Sequence, residues 1–137
     1  MATNVTPTNI QKMEFDVTTA EGAGRVTVVT GIIQAGPQAF SNSNSFSTQS
    51  LSITALVDPT LTAGQFRKAT ATAALAATSA NTNAAPSSFQ FSVDDVQASL
   101  DDESGRIELR VDATAGVSNG SAIIRRITFQ VTTLAKI

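Results

Sequence analysis

Alternation of apolar and polar residues with a period of two runs through most of this 137-residue sequence. In residues 107–113, for example, Ile, Leu, Val and Ala alternate with Glu, Arg and Asp. Successive side chains of a β-strand point to opposite faces, so this period is typical of strands with one buried face. About seven such segments follow one another, separated by turn residues such as those of 101–105. The pattern therefore predicts an all-β fold.

The connections between these segments are too short for the helical crossovers that join neighbouring parallel strands. This predicts an antiparallel two-sheet sandwich of about seven strands, either Ig-like or jelly-roll-like. A chain of this length suits one domain. We expect an extended N-terminal arm over residues 1–9 and a single β-sandwich domain over residues 10–137. In an assembly, the polar arm is expected to lie on a neighbouring subunit.

The alternation also predicts which side chains face the core. A strand is predicted over residues 10–19. We expect Met13, Phe15 and Val17 to face the core of the domain, and Glu14 and Asp16 to face water. The alternation slips at Val28-Val29, which predicts a β-bulge. A further strand is predicted from Phe46 to Val57, with the Phe46 ring in the core.

Residues 63–78 are compatible with two structures. Their alanines favour a short helix, but a helix would place Phe66 and Leu75 on opposite sides. A strand gives one small apolar face and one polar face, with Ala69, Ala71, Ala73, Leu75 and Ala77 inward and Lys68, Thr70 and Thr72 outward. We favour the strand and keep the short helix as the alternative.

Two features of the C-terminal third predict how its strands are interrupted and joined. The alternation that begins at Phe89 shifts at Asp94-Asp95, after which it continues to Leu100. Asn119-Gly120 is a pair of residues that both tolerate positive φ, so it predicts a tight hairpin between two strands.

Missing residue types limit the chemistry available to the chain. The sequence contains no Cys, His, Trp or Tyr. It therefore has no disulfide, no thiol nucleophile and no imidazole to act as a general base or metal ligand. Trp and Tyr are favoured at sugar-binding and hot-spot surfaces, so their absence disfavours such a site. We expect no enzymatic activity and no cofactor.

Charge limits the class of partner. Charged residues make up only 15% of the chain, and the formal net charge is −2. Nucleic-acid binding usually leaves a basic footprint, so no nucleic-acid partner is expected. Free soluble proteins usually carry more surface charge. A hydroxyl-rich surface of low charge is therefore expected where neighbouring subunits cover much of it.

Two acidic groups are the candidates for a site. They could offer oxygen ligands to calcium, and their members are Asp94, Asp95, Asp101, Asp102 and Glu103. In an enzyme, carboxylates such as Asp94, Asp95 or Asp101 would carry the reaction. Their spacing differs from that of a calcium-binding loop, and a solvated acidic turn explains them. We therefore predict no metal site.

The N-terminal residues bear on where the chain is made. Residues 1–7 lack the apolar run of a secretory signal, and no stretch approaches the ~20 apolar residues of a membrane-spanning helix. We therefore expect no signal peptide, release into a cytoplasm and no membrane partner.

These features together predict a structural subunit of a macromolecular assembly. The expected setting is a virion or phage particle assembled in the host cytoplasm, in which the chain decorates a capsid, completes a head or forms part of a tail. Its partners would be copies of itself or other structural proteins, over more than ~1,000 Å² of buried surface. The alternative is an Ig-like binding or adhesion module that recognises a glycan or a protein through loops 36–48 and 79–88.

Overall fold

A computed structural model describes residues 2–137, so Met1 lies outside the described part of the chain. Residues 2–137 form an all-β fold without a helix, which confirms the predicted fold class. Two short strands supplement the seven long ones that the alternation predicts. The strands are β1 (Thr3–Asn4), β2 (Thr8–Thr19), β3 (Gly22–Ile33), β4 (Gln38–Ser41), β5 (Ser47–Val57), β6 (Phe66–Thr82), β7 (Ser88–Leu100), β8 (Ile107–Ser118) and β9 (Gly120–Lys136).

The strands form the two sheets of a sandwich. Sheet A has the order β1-β5-β8-β7, and sheet B contains β2, β3, β9, β4 and β6. The long strand β9 is central in sheet B, because β6 pairs along its whole length while β3 and β4 pair with different parts of it. Every pairing is antiparallel except that of β1 with β5.

The hydrophobic core lies between the inner faces of the two sheets. β8 and β9 contribute most of it, since both strands have neighbours on each side. Complete burial of an aliphatic side chain is worth about 1.5–3 kcal/mol. The core residues from these two strands are Ile107, Leu109, Val111, Ala113, Ala115, Val117, Ala122, Ile124, Ile127, Phe129 and Val131.

The segment that could have been a helix is a strand, so the short-helix alternative for residues 63–78 is wrong. β6 pairs with β9 over fifteen partner positions, from Phe66 opposite Ala135 to Thr82 opposite Gly120. This ladder pairs the backbone groups of β6 that face β9, and it outweighs the helix propensity of the alanines in β6. The small side chains of Ala69, Ala71 and Ala73 pack against the core, as the strand pattern predicts.

The first predicted strand is present, but the prediction of its buried face is wrong. β2 pairs with β3, and directly opposite residues share a face. Glu14 lies opposite the buried Thr27 and therefore points inward, whereas Phe15 lies opposite Val26 and points outward. Period-two alternation identifies two faces but not which of them the rest of the fold covers. Here β2 is an edge strand whose inward-facing side chains remain exposed.

The β-bulge lies in β2 and not, as predicted, at Val28-Val29. β3 pairs in regular register with both neighbours through this point, with Val29 buried and Val28 on the outer face. The irregularity in β2 falls between Thr8 and Gln11, where Asn9 has a positive φ of 53°. Two adjacent apolar residues in β3 therefore mark a strand with apolar side chains on both faces.

Asn119-Gly120 does not form the predicted hairpin. It joins β8 of sheet A to β9 of sheet B, so the chain crosses from one sheet to the other. Asn119 does adopt positive φ, at 53°, as its residue type allows. The predicted shift at Asp94-Asp95, in contrast, is confirmed by a register break between Val93 and Asp95.

The N-terminal arm lies on its own domain in this structure. Thr3 and Asn4 pair with Ile53 and Thr54 of β5, and the Val5 amide donates to the Thr54 carbonyl over 2.9 Å. The side chain of Val5 packs against the core. The arm therefore extends one edge of sheet A before the chain crosses to sheet B.

Replacing Thr133 by valine is expected to stabilise the fold. The Thr133 hydroxyl is buried, and within residues 2–137 it has no hydrogen-bond partner. Valine has nearly the same shape and removes the desolvated polar group, so the free energy of unfolding should rise by about 1 kcal/mol. Urea denaturation measures the change. Thr132→Val on the outer face is the control, and an equal gain there would contradict the explanation.

Candidate assembly surface

The outer face of sheet B carries an exposed apolar surface near one end. Phe15 lies opposite Val26, which in turn lies opposite Leu134, and Met13 lies opposite Val28. Side chains on adjacent strands at these positions are neighbours. We call this surface the apolar face, and it consists of Met13, Phe15, Val17, Val26, Val28 and Leu134.

The apolar face is exposed to an extent that is unusual for such residues. Met13 is 64% exposed and Phe15 is 46% exposed, whereas Phe129 on the inner face of the same sheet is 4% exposed. Contiguous exposed apolar surface on a soluble domain commonly marks a site of contact with another macromolecule. This is the candidate surface that the sequence-based assignment of faces missed. The apolar pairs Val28-Val29 and Ile32-Ile33 in β3 could have indicated this surface in the sequence, because they place apolar side chains on both faces of one strand.

The inward side of β2 is charged and forms ion pairs. The Lys12 ammonium lies 3.2 Å from a Glu14 oxygen and 3.6 Å from an Asp58 oxygen at the end of β5. Arg25 Nε lies 3.0 Å from an Asp16 oxygen. The hydrogen bond with Glu14 and the charge of Asp58 raise the pKa of Lys12. The stability that Lys12 gains from Glu14 and Asp58 is therefore present at neutral pH, and it is lost only as the pH rises through the raised pKa of Lys12.

A cleft lies between the two sheets behind these charges. Its volume is about 590 Å³, and its walls combine core side chains such as Val29 and Val57 with Asp58, Arg106 and Glu108. Arg106 lies 3.8 Å from Asp58, so this side of the sandwich is bordered by partly exposed ion pairs. Exposed pairs of this kind contribute little to stability.

The outer face of sheet A is polar and internally hydrogen-bonded. The Ser52 hydroxyl donates to Asp112, and Arg110 lies 3.3 Å from the same carboxylate. On the same face, the Thr114 hydroxyl donates a hydrogen bond to the Asp94 carboxylate. The Ser52 hydrogen bond, followed by the hydrogen bond and charge of Arg110, lowers the pKa of Asp112 despite its partial burial. The two outer faces of the sandwich therefore differ, with one hydroxyl- and carboxylate-rich and the other apolar near one end.

Acid is expected to weaken the fold through Asp112. Because its folded-state pKa lies below the ordinary value of 3.8, ionised Asp112 stabilises the fold above that value. The contribution is lost as pH falls through the folded-state pKa. Asp112→Asn should cost about 1 kcal/mol at neutral pH, and the difference from wild type should vanish in strong acid. Denaturant titrations at several pH values test this, with Asp102→Asn in an exposed turn as control. A difference that does not change with pH would contradict it.

The two loops of the alternative hypothesis meet at one end of the sandwich. They are shorter than predicted, because β4 lies within 36–48 and β6 continues to Thr82 within 79–88. The remaining segments, 42–46 and 83–87, both contact Asn119. Its side-chain nitrogen donates to the Asn44 side-chain oxygen and to the Pro86 carbonyl, each over 2.7 Å. We call this surface the loop end.

The Phe46 ring lies at the loop end and not in the core, so that prediction is wrong. Phe46 is 47% exposed. A Cβ built on Gly116 would lie 2.6 Å from its ring, so the ring rests directly on the backbone of β8, and a larger residue at position 116 would displace it. Gly116 is on the outer face of sheet A, which places Phe46 outside the sandwich.

The structure separates the two acidic groups proposed as calcium ligands. Asp94 and Asp95 lie in β7, where they accept hydrogen bonds from Ser92 and Gln97 respectively. Asp101 accepts from Ser104 in the β7–β8 turn, which also contains Asp102 and Glu103. Within residues 2–137, no three acidic side chains are grouped as metal ligands would be.

Comparison of the chain with protein-family models, curated proteins and solved structures gave no match. The fold therefore defines the class of protein only as an all-β two-sheet sandwich. No helix within residues 2–137 has the length and apolarity needed to cross a membrane.

Proposed function

We propose that this chain is a structural subunit of a macromolecular assembly, and that it acts through contacts with copies of itself or with other structural proteins. The setting we propose is a virion or phage particle, in which the chain decorates a capsid, completes a head or forms part of a tail. The observation that carries the proposal is the apolar face on the outside of sheet B.

Burial of the apolar face would stabilise an interface. Met13 and Phe15 are the most exposed of its side chains, and the surrounding valines and Leu134 are half-buried. Such an arrangement resembles the core and surroundings of a protein–protein contact, in which a few large side chains contribute most of the binding energy. The low charge of the chain fits the same role, because interface cores are depleted in charged residues.

Sedimentation velocity and electron microscopy of natively purified protein test the proposal. We expect the wild-type chain to form oligomers or particles, and Met13→Ser/Phe15→Ser to shift the population to monomers. Phe40→Ser is a matched control, because Phe40 is 62% exposed on the same face of sheet B but pairs opposite Ser121, at the other end of β9. Wild-type protein that stays monomeric at high concentration would overturn the proposal.

A binding or adhesion module is the second candidate, and the loop end is the observation that favours it. Segments 42–46 and 83–87 form one surface there, with Phe46 and Phe89 both partly exposed. This candidate predicts a monomer that binds a glycan or protein ligand and loses binding when Phe46 is replaced by serine. A glycan array combined with the sedimentation measurement separates it from the assembly function.

A further inference from the structure

We propose that two copies of this chain pair through β2, antiparallel across a two-fold axis at Glu14. The proposal rests on the assembly function above and identifies one contact within it. The partner is a second copy of the same chain, and the contact joins the two B sheets into one continuous sheet.

The outer edge of β2 has the backbone groups that such a contact needs. Within residues 2–137, β3 is the only strand that pairs with β2. From Gln11 to Thr19 the pairing with β3 is regular, so this part of β2 is a straight and unbroken template. An open strand edge of this length readily accepts another strand, and natural domains usually shorten, bend or cover such edges.

The charges of β2 select one register for a two-fold pairing. With Glu14 at the axis, Lys12 of each copy lies opposite Asp16 of the other, which gives two pairs of opposite charge. An axis at Phe15 would instead place Glu14 opposite Asp16 twice, and an axis at Lys12 would place the two lysines opposite each other. Opposite charges at such positions stabilise a strand pair, and like charges destabilise it.

Inward-facing charges on an edge strand usually prevent pairing, so their order matters. In an antiparallel pair with the axis at Glu14, the charges of Lys12 and Asp16 in one copy are opposite to those they face in the other copy. The one exception is Glu14, which faces the Glu14 of the other copy. That like-charge contact has a lysine on each side, since Lys12 lies 3.2 Å from Glu14 in each chain.

The same register also matches the apolar side chains. Met13 of each copy lies opposite Phe15 of the other, on the outer side of the sheet, so two cross-strand pairs of large apolar residues form. The apolar faces of the two copies then become one surface. An axis at Met13 also pairs opposite charges, Lys12 with Glu14, but it places Gln11 opposite Phe15 and Asp16 opposite Ile10 in the irregular part of β2.

Single cysteines report the register, because the chain contains no cysteine of its own. In the proposed dimer the two Cα atoms at position 14 are about 4.5–5.5 Å apart, which suits a disulfide. At position 13 or 15 the two copies are offset by two residues, so their Cα atoms are about 8 Å apart and beyond disulfide reach. At position 16 the separation along the strands is about 13 Å.

We therefore expect Glu14→Cys to form a disulfide-linked dimer under mild oxidation, and Met13→Cys, Phe15→Cys and Asp16→Cys to form at least about tenfold less at the same time. Equal cross-linking at all four positions, or a maximum at 13 or 15, overturns the proposed register. Absence of cross-linking at 14 in protein that still assembles overturns this contact but leaves the assembly function standing. A wild-type chain that is monomeric overturns both.

A charge exchange gives an independent measurement. Lys12→Asp and Asp16→Lys each place like charges opposite each other in the dimer, so each should weaken self-association. The double variant restores two opposite-charge pairs and should recover it. If only contacts within one chain mattered, the double variant should be the weakest of the three. It puts a new carboxylate beside Glu14 and Asp58, and a new ammonium beside Arg25. Recovery in sedimentation equilibrium supports the contact, and a double variant weaker than either single one overturns it.

Discussion

Leu109→Ala is expected to lower the free energy of unfolding by about 3–4 kcal/mol, the largest effect of any single change considered for this fold. Leu109 is completely buried in β8, the strand between β5 and β7 in sheet A. Its direct neighbours across the sheet are Ala55 and Ala98. Because both are alanines, neither of the side chains directly opposite is long enough to fill the space that the leucine leaves.

Urea denaturation followed by circular dichroism measures this loss. Leu75→Ala is the matched control, because it deletes the same atoms from the edge strand β6, where Leu75 is 37% exposed. Its expected cost is about 1 kcal/mol, because less apolar surface is lost and solvent can fill the site. Equal losses from the two variants would contradict the difference in burial between the two leucines.

Asn119→Ala is expected to cost about 2–3 kcal/mol, from two separate causes. The first is the loss of the side-chain hydrogen bonds to Asn44 and the Pro86 carbonyl at a residue that is only 4% exposed. The second is its φ of 53°, which alanine adopts with more strain than asparagine. Since the backbone of Asn119 also bonds to Ser43 and Asn83, the substitution should loosen both loops at once.

Asn119→Gly separates the two causes. Glycine loses the same hydrogen bonds but adopts positive φ freely, so it should be more stable than the alanine variant by about 1 kcal/mol. Unfolding free energies give the comparison, and hydrogen exchange of the amides in 83–87 reports the loosening of the loop. A glycine variant as unstable as the alanine variant would show that backbone conformation contributes nothing at this position.

Several elements could be predicted from local sequence alone. Alternation, which depends only on the geometry of an extended backbone, predicted the strand over 107–113, the shift at Asp94-Asp95 and a strand from Phe46 to Val57, which the structure has over Ser47–Val57. The choice of strand over helix for residues 63–78 also followed from the pattern, because a helix would place Phe66 and Leu75 on opposite sides and a strand gave one apolar and one polar face. In each case the local periodicity and the final fold agree.

The candidate surface could not be predicted in the same way. The positions of Met13 and Phe15 on one face of a strand follow from the sequence, but their exposure follows from the place of β2 at the edge of sheet B. Asn119-Gly120 could be recognised as a turn, but the two strands that it joins do not pair with each other. β8 pairs with β5 and β7 in sheet A, and β9 pairs with β3 and β6 in sheet B. Phe46 likewise lies outside because its partner is the backbone at Gly116.

By itself the sequence determined that this chain forms strands, roughly where along the chain the long ones lie, and which side chains share a face, because these properties depend on residues close together along the chain. Only the tertiary structure decided which face of β2 meets the solvent, which sheet each strand joins and which loops meet at Asn119. Those outcomes depend on pairings between residues far apart in sequence. The free energy of such pairings is set by the whole arrangement of strands, and no local pattern contains it.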